Sequence, residues 1–192
     1  MIWIILAWVL YFFIHSFLAH QKVKQYVFSK FPNSKKYYRI MYNIIAFIGL
    51  CCLIPFSVLG CHQFVFQTNT VTYVVASIFI IIGLIILFKA FQLFNLKEFF
   101  GLEQLQSPEK PSTLIIKGLY QYVRHPLYTG LIIFIIGIWL LYPTLAVSAF
   151  VIISIAYIDY GSSLEEEKLL LEFGDAYKQY QQSVKKLIPF IY

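Results

Sequence analysis

Charge is what this chain has least of. Only 12% of its 192 residues are Asp, Glu, Lys or Arg, against about 25% in a typical soluble domain. With 60% hydrophobic residues and a mean hydropathy of +0.73, the surplus apolar surface calls for lipid as its solvent, and the chain reads as an integral membrane protein. Cysteine is scarce too. Cys51, Cys52 and Cys61 form neither a disulfide framework nor a zinc pattern. The adjacent pair points in different directions on a helix, so these thiols read as small packing residues. The basic residues do not gather on one polar face, so no nucleic-acid partner is expected. The N-terminus lacks a basic run followed by a small-residue cleavage site, so its first apolar stretch is expected to be retained. His15 and His20 lie five apart, which is not a same-face helical spacing, and no metal is expected.

What is present is one apolar run after another. Ile2 to Leu18 has minimal spanning length. A basic segment, Gln21 to Arg39, follows, with a turn at Phe31-Pro32-Asn33-Ser34. Ile40 to Leu59 is the second span, with Pro55 as an expected kink. Val71 to Phe88 is the third, its pattern continuing as an interfacial helix to about Phe100. Leu127 to Ile158 contains no charged residue. As one helix at ~1.5 Å per residue it would be about 48 Å long, against a hydrocarbon core of about 30 Å. Tyr142-Pro143-Thr144 sits at its middle, so two short spans are expected, Leu127 to Leu141 and Leu145 to Tyr157.

Five spans place all 15 Lys and Arg residues, and all nine Asp and Glu, on one side of the membrane. Basic residues accumulate in cytoplasmic loops. The N-terminus is therefore expected outside and the C-terminus in the cytoplasm, with a bacterial inner membrane as the expected location. The expected fold is all-α, a single membrane domain over 1–192 with a cytoplasmic amphipathic tail helix. Leu169, Leu170, Phe173, Tyr177 and Tyr180 recur at helical spacing in that tail. Gly174-Asp175 is expected to divide it, with Asp175 capping the second piece and Pro189 ending it.

Two segments carry the chemistry. Lys117 to Gly130 reads KGLYQYVRHPLYTG and packs aromatic, cationic and glycine residues just before an apolar run. Arg124 and His125 can hold an anionic or polar group, and Pro126 pushes His125 toward extended backbone. A plain basic, aromatic membrane anchor would look much the same. The second segment is Glu165-Glu166-Glu167. Acids favour a helix N-terminus on dipole grounds alone. Glu166, however, lies three, four and seven residues before Leu169, Leu170 and Phe173 and so shares their buried face. A carboxylate there needs a cation, and Arg124 and His125 are the candidates across the hairpin.

The ordered set Gly118, Tyr120, Arg124-His125-Pro126, Tyr128, Gly130, then Glu165-Glu166, Leu169, Phe173-Gly174, Tyr177, Tyr180 and Ile188-Pro189 resembles the isoprenylcysteine carboxyl methyltransferase superfamily. It is most similar to the small prokaryotic members, the methanethiol S-methyltransferase-like and NnrU-like proteins. The resemblance covers about Asn95 to Tyr192. His15-Ser16-x-Leu18-Ala19 and Tyr37-Tyr38-Arg39-x-x-Tyr42-Asn43 extend it more softly. It implies a membrane helical bundle, with residues 95–192 forming the half that binds S-adenosylmethionine on the cytosolic side. Tyr120, His125, Pro126 and Tyr128 would line that cofactor site, with Gln104 from the preceding loop. Gly118 and Gly130 would allow its approach. Glu165 and Glu166 would hold cofactor polar groups or structure the pocket through Arg124; Arg124 and Glu166 are the expected catalytic pair. The implied reaction moves a methyl group to an apolar or lipid-soluble acceptor, a thiol or a prenylcysteine-type carboxylate. A lipid amine methyltransferase and a non-catalytic accessory protein are the alternatives on the same scaffold. One departure bears on the acceptor. The approach to the glutamates is Asp159-Tyr160-Gly161-Ser162-Ser163-Leu164 and has none of the arginines of the isoprenylcysteine enzymes.

Overall fold

The apolar run over 127–158 breaks at Tyr142-Pro143-Thr144, and this break organises the second half of the chain. The computed structural model describes residues 1–60, 63–93, 102 and 113–192. Its helices are α1 (Ile2–Ala19), α2 (Gln21–Lys30), α3 (Tyr38–Leu59), α4 (Thr70–Phe91), α5 (Pro126–Leu141), α6 (Leu145–Phe173) and α7 (Asp175–Ser183). There is no β-strand among the described residues, and an isolated bridge pairs Val123 with Lys185. Four helices, α1, α3, α4 and α6, are long and apolar enough to cross a membrane, and α5 is a shorter apolar helix. The protein is an all-α integral membrane protein.

Helix ends follow local chemistry. Asn69 and Thr72 cap α4 reciprocally, each side chain accepting from the other's backbone N–H, at 3.0 and 2.7 Å. Pro126 starts α5, where its missing N–H costs nothing. Tyr142, ahead of Pro143, leaves the helical region at φ −131°, ψ 72°, and α5 ends there. The Thr144 hydroxyl then accepts from Val147 N–H and opens α6.

Several expectations need correction. The helix that begins at Leu145 does not end with the apolar run: α6 continues unbroken to Phe173. Nothing between Ile158 and Phe173 breaks a helix except Gly161, which costs only about 1 kcal/mol against Ala. The apolar part of α6 ends at Ile158, and its charged extension begins at Asp159. The division at 174 is present, but Gly174 is the N-cap of α7 at φ +56°, and Asp175 occupies the first turn instead. That backbone region suits glycine. The last helix ends at Ser183, well before Pro189, because residues 184–187 turn extended to pair with another segment. The basic stretch after α1 is helical over Gln21–Lys30, and the turn at 32–36 is a 3₁₀ helix. The third span ends at Phe91; its expected continuation toward Phe100 falls on 94–100, outside the described residues.

The chain forms two compact units. In the first, Met1–Gln63 with Thr144–Phe150, Trp8 is fully buried. Its indole N–H donates to Ser57 Oγ at 2.8 Å, and its ring lies 4.3 Å from that of Phe150. His15 is paired with the Tyr42 hydroxyl at 2.6 Å. In the second, α4 and α5 meet through small residues. A Cβ on Gly83 would lie 2.8 Å from Phe134 N, and one on Gly137 would lie 2.9 Å from Ile80 N. Small side chains let two helices in lipid approach backbone to backbone, where dispersion can hold them together.

Candidate functional site

The second unit fastens the segment before α5 to the end of the chain by backbone hydrogen bonds. Arg124 N–H donates to the Lys185 carbonyl at 2.7 Å, and His125 N–H to the Lys186 carbonyl at 3.1 Å. Thr129 Oγ1, one turn into α5, donates to the Leu187 carbonyl at 2.7 Å. Gly118 opens the 3₁₀ turn Gly118–Gln121 at φ +62°. In that turn Tyr120 is buried, and its carbonyl accepts from the Tyr180 hydroxyl on α7. These contacts fix both backbones before any side chain of the site is considered.

The side chains converge on one carboxylate. Glu166 Oε1 accepts from Arg124 Nε at 2.6 Å and lies 3.1 Å from His125 Nε2. Its other oxygen accepts from Gln181 Nε2 at 3.1 Å. Arg124 also donates from Nη1 to the carbonyls of Gln181 and Val184, at the C-terminal end of α7, where the helix dipole favours a cation. The Arg124 and Glu166 side chains are only 11% and 12% exposed, so water screens the pair little. Burial alone would push the Glu166 carboxyl up. Hydrogen bonds from His125 and Arg124, with the Arg124 charge, outweigh it and pull it down to about 2. Burial also raises the hydroxyls of Tyr120, Tyr177 and Tyr180, the last to about 12, so all three stay protonated.

The structure therefore brings together Arg124, His125, Glu165 and Glu166, with His125 Nδ1 3.7 Å from Glu165 Oε2. Tyr128 stacks on His125 at 5.5 Å between ring centres. Pro126 is fully buried. Gly130 faces α4, where a Cβ would lie 3.1 Å from Leu87 N, so helix packing accounts for the glycine there. Gln104 lies outside the described residues. Gln181 and Lys186 escaped the sequence reading, and Tyr177 entered it only through the helical pattern and the resemblance. Gln181 completes the Glu166 shell. Tyr177 is 1% exposed, and its hydroxyl has no hydrogen-bond partner among the described residues. Lys186 is buried and donates to the Asp159 carbonyl, Asp159 Oδ1 and Ser163 Oγ at 2.8–3.0 Å. In the sequence Lys186 is one lysine of a doublet in a polar tail, and no spacing sets it apart. Gln181 does lie one turn beyond Tyr177, a spacing that points to the same face.

Comparison with known proteins bears on this cluster. The sequence profile of the isoprenylcysteine carboxyl methyltransferase (ICMT) family matches residues 74–172, more than half of the chain. The chain belongs to this family. A methanethiol S-methyltransferase of Pseudomonas sp. (strain GM41(2012)) is 38% identical over 105 residues, which is 54% of this chain and 38% of that protein. One from Crocosphaera subtropica is 37% identical over 122 residues, 60% of this chain and 46% of the relative. The protein-S-isoprenylcysteine O-methyltransferase of Schizosaccharomyces pombe is 34% identical over 83 residues, 43% and 35% of the two chains. The aligned stretches thus span less than half the length of these relatives. No solved structure matches. The ICMT match takes in the arginine–histidine–proline corner and the glutamates but stops short of α7 and Lys186.

Proposed function

We propose that this ICMT-family chain is an S-adenosylmethionine-dependent membrane methyltransferase acting on an apolar or lipid-soluble acceptor at the cytosolic face. The observation that carries the reading is the joining of Arg124 and His125 to Glu166, within the segments by which the chain matches the family. S-adenosylmethionine, when bound, supplies a methyl group on a positively charged sulfur. The residues present fit such a molecule. Glu165, its side chain 47% exposed, can receive an ammonium or a ribose hydroxyl. The aromatic faces of His125 and Tyr128 suit a sulfonium or a flat base, and cation–π attraction is worth roughly 0.5–2 kcal/mol. The Tyr177 hydroxyl leaves one buried donor to be satisfied. Arg124 has a different part: with Nε and Nη1 engaged by Glu166 and α7, it holds the two halves of the site together. Alignment of the reacting groups and exclusion of water are what methyl transfer asks of a protein, and a rigid, buried polar frame serves both.

A thiol is favoured over a prenylcysteine carboxylate as acceptor. No arginine approaches the glutamates along α6, and the one arginine at the site is committed to protein partners. His125, between two carboxylates, can hold a proton at Nδ1 or Nε2. Calorimetry of S-adenosylmethionine binding to the full chain, in detergent and in lipid, tests the cofactor. Labelled methyl transfer into small thiols, prenylcysteine and lipid extracts separates the acceptors. No binding in either medium would overturn the proposal; label in lipid amines alone would favour the lipid methyltransferase reading.

A further inference from the structure

The last residues do not trail into water. Beyond the latch at Lys186 the chain closes a tight turn in which Leu187 and Ile188 N–H both donate to the Tyr192 carbonyl at 2.7 Å. Phe190 sits at φ +64°, a left-handed conformation uncommon for a bulky residue, and its side chain is turned outward. Ile188, Phe190 and Ile191 are 49%, 86% and 75% exposed, so the turn displays a contiguous apolar tip. Two independent anchors set its depth. Lys186 Nζ and Tyr192 Oη both donate to Asp159 Oδ1, the first charged group after the apolar part of α6. On the other side, Thr129 within the first turn of apolar α5 donates to the Leu187 carbonyl. The tip is therefore held where the apolar runs of both helices end, which is where hydrocarbon gives way to headgroups. Lys178 and Lys185 are exposed nearby in sequence and suit anionic headgroups.

We propose that Ile188, Phe190 and Ile191 form a wedge inserted into the lipid surface, held at that depth by the Lys186–Asp159 latch. The tail is then a peripheral membrane element, and lipid is the partner that covers its apolar residues. Bulky aromatic and aliphatic side chains beside lysines are the residue types that seat a segment at a bilayer interface.

The test uses the full chain in vesicles of phosphatidylcholine and phosphatidylglycerol, with Cys51, Cys52 and Cys61 replaced by alanine. A Phe190→Cys protein carries an environment-sensitive NBD label, with Gln182→Cys as the comparison site. The label at 190 should emit further to the blue and be quenched several-fold more by lipids brominated on the acyl chain than the label at 182. Aqueous iodide should quench it several-fold less. Ile191→Cys should behave like Phe190→Cys, which guards against a label that distorts one position. Lys186→Met should move the label at 190 toward the comparison site, and Lys186→Arg should restore it. A label at 190 that iodide reaches as readily as at 182 overturns the proposal. So does one that neither quencher reaches, because protein, either another part of this chain or a second copy, would then cover the turn.

Discussion

Cutting Arg124 and Glu166 singly and together tests the joint on which the site depends. Glu166→Ala removes the acceptor of a 2.6 Å bond from Arg124 and of a longer one from His125. Hydrogen bonds to charged groups contribute about 1.5–3 kcal/mol each. Stripping one partner from a buried ion pair costs about 3–5 kcal/mol. At 11% and 12% exposure this pair is near the buried limit. Arg124, however, keeps the carbonyls of Gln181 and Val184, which offset part of the loss. A cost of about 3 kcal/mol follows for Glu166→Ala. Arg124→Ala should cost about 3–4 kcal/mol, because it also leaves those two carbonyls at the end of α7 without their cation.

The double variant decides the matter. Were the two residues independent, the losses would add to within about 0.5 kcal/mol. Since each single variant already breaks the same bond, the double should fall short of the sum by about 2–3 kcal/mol. Reversible unfolding in mixed micelles, followed by circular dichroism, measures it. On the scaling of domains of this size, about 3 kcal/mol corresponds to a melting shift of roughly 6–12 °C. Additive losses would refute the joint, since the two side chains would then act independently.

Acid should loosen the same joint. The Glu166 pKa is depressed to about 2 from 4.5, so its stabilisation is complete above about pH 4.5 and is lost as pH falls through about 2. Asp159, lowered chiefly by its hydrogen bond from Lys186, slopes the same way. Thermal unfolding compared at pH 5 and pH 3 should therefore show a smaller acid loss for Glu166→Gln than for the parent protein, and equal losses would remove Glu166 from the account. Gly137→Ala should destabilise by about 1–3 kcal/mol, since its Cβ would meet Ile80 Cγ1 at 2.7 Å and Ile80 N at 2.9 Å. Gly161→Ala on α6 meets nothing within 4 Å and should be neutral or gain about 0.5–1 kcal/mol; paired melts of the two variants check both signs. Tyr180→Phe should cost about 0.5–1.5 kcal/mol by removing the hydroxyl that donates to the Tyr120 carbonyl, read in the same unfolding assay.

Much of this was written in the chain. An apolar run too long for one crossing, with proline at its centre, admits little besides a hairpin, and α5 and α6 meet at Pro143 as expected. The pairing of Glu166 with Arg124 could be read from one fact, that a carboxylate on a helix's apolar face requires a cation. What could not be read arises from contacts that local sequence does not encode. The change from apolar to charged residues at Asp159 signals a change of surroundings and not of conformation, and the helix continues through it. The pairing of residues 123–125 with 185–186 has no alternating pattern behind it, because it is imposed by packing on both sides. Lys186 looked like any lysine of a polar tail until the fold placed its ammonium beside Asp159 and Ser163.

The continuity of α6 matters more than its length. Asp159 and Glu166 are seven residues apart, close to two helical turns, so they project from nearly the same face. Asp159 fixes Lys186, whose carbonyl accepts from His125 N–H; Glu166 receives the His125 and Arg124 side chains. One face of one helix therefore reads the same corner twice, once through its backbone and once through its side chains. A joint between membrane span and tail, as first expected, would have let those two readings vary independently. An unbroken helix ties them to a single rotation about its axis. A carboxylate so held is depressed to about 2 by its two donors and the Arg124 charge, and the histidine beside it is held by the same contact.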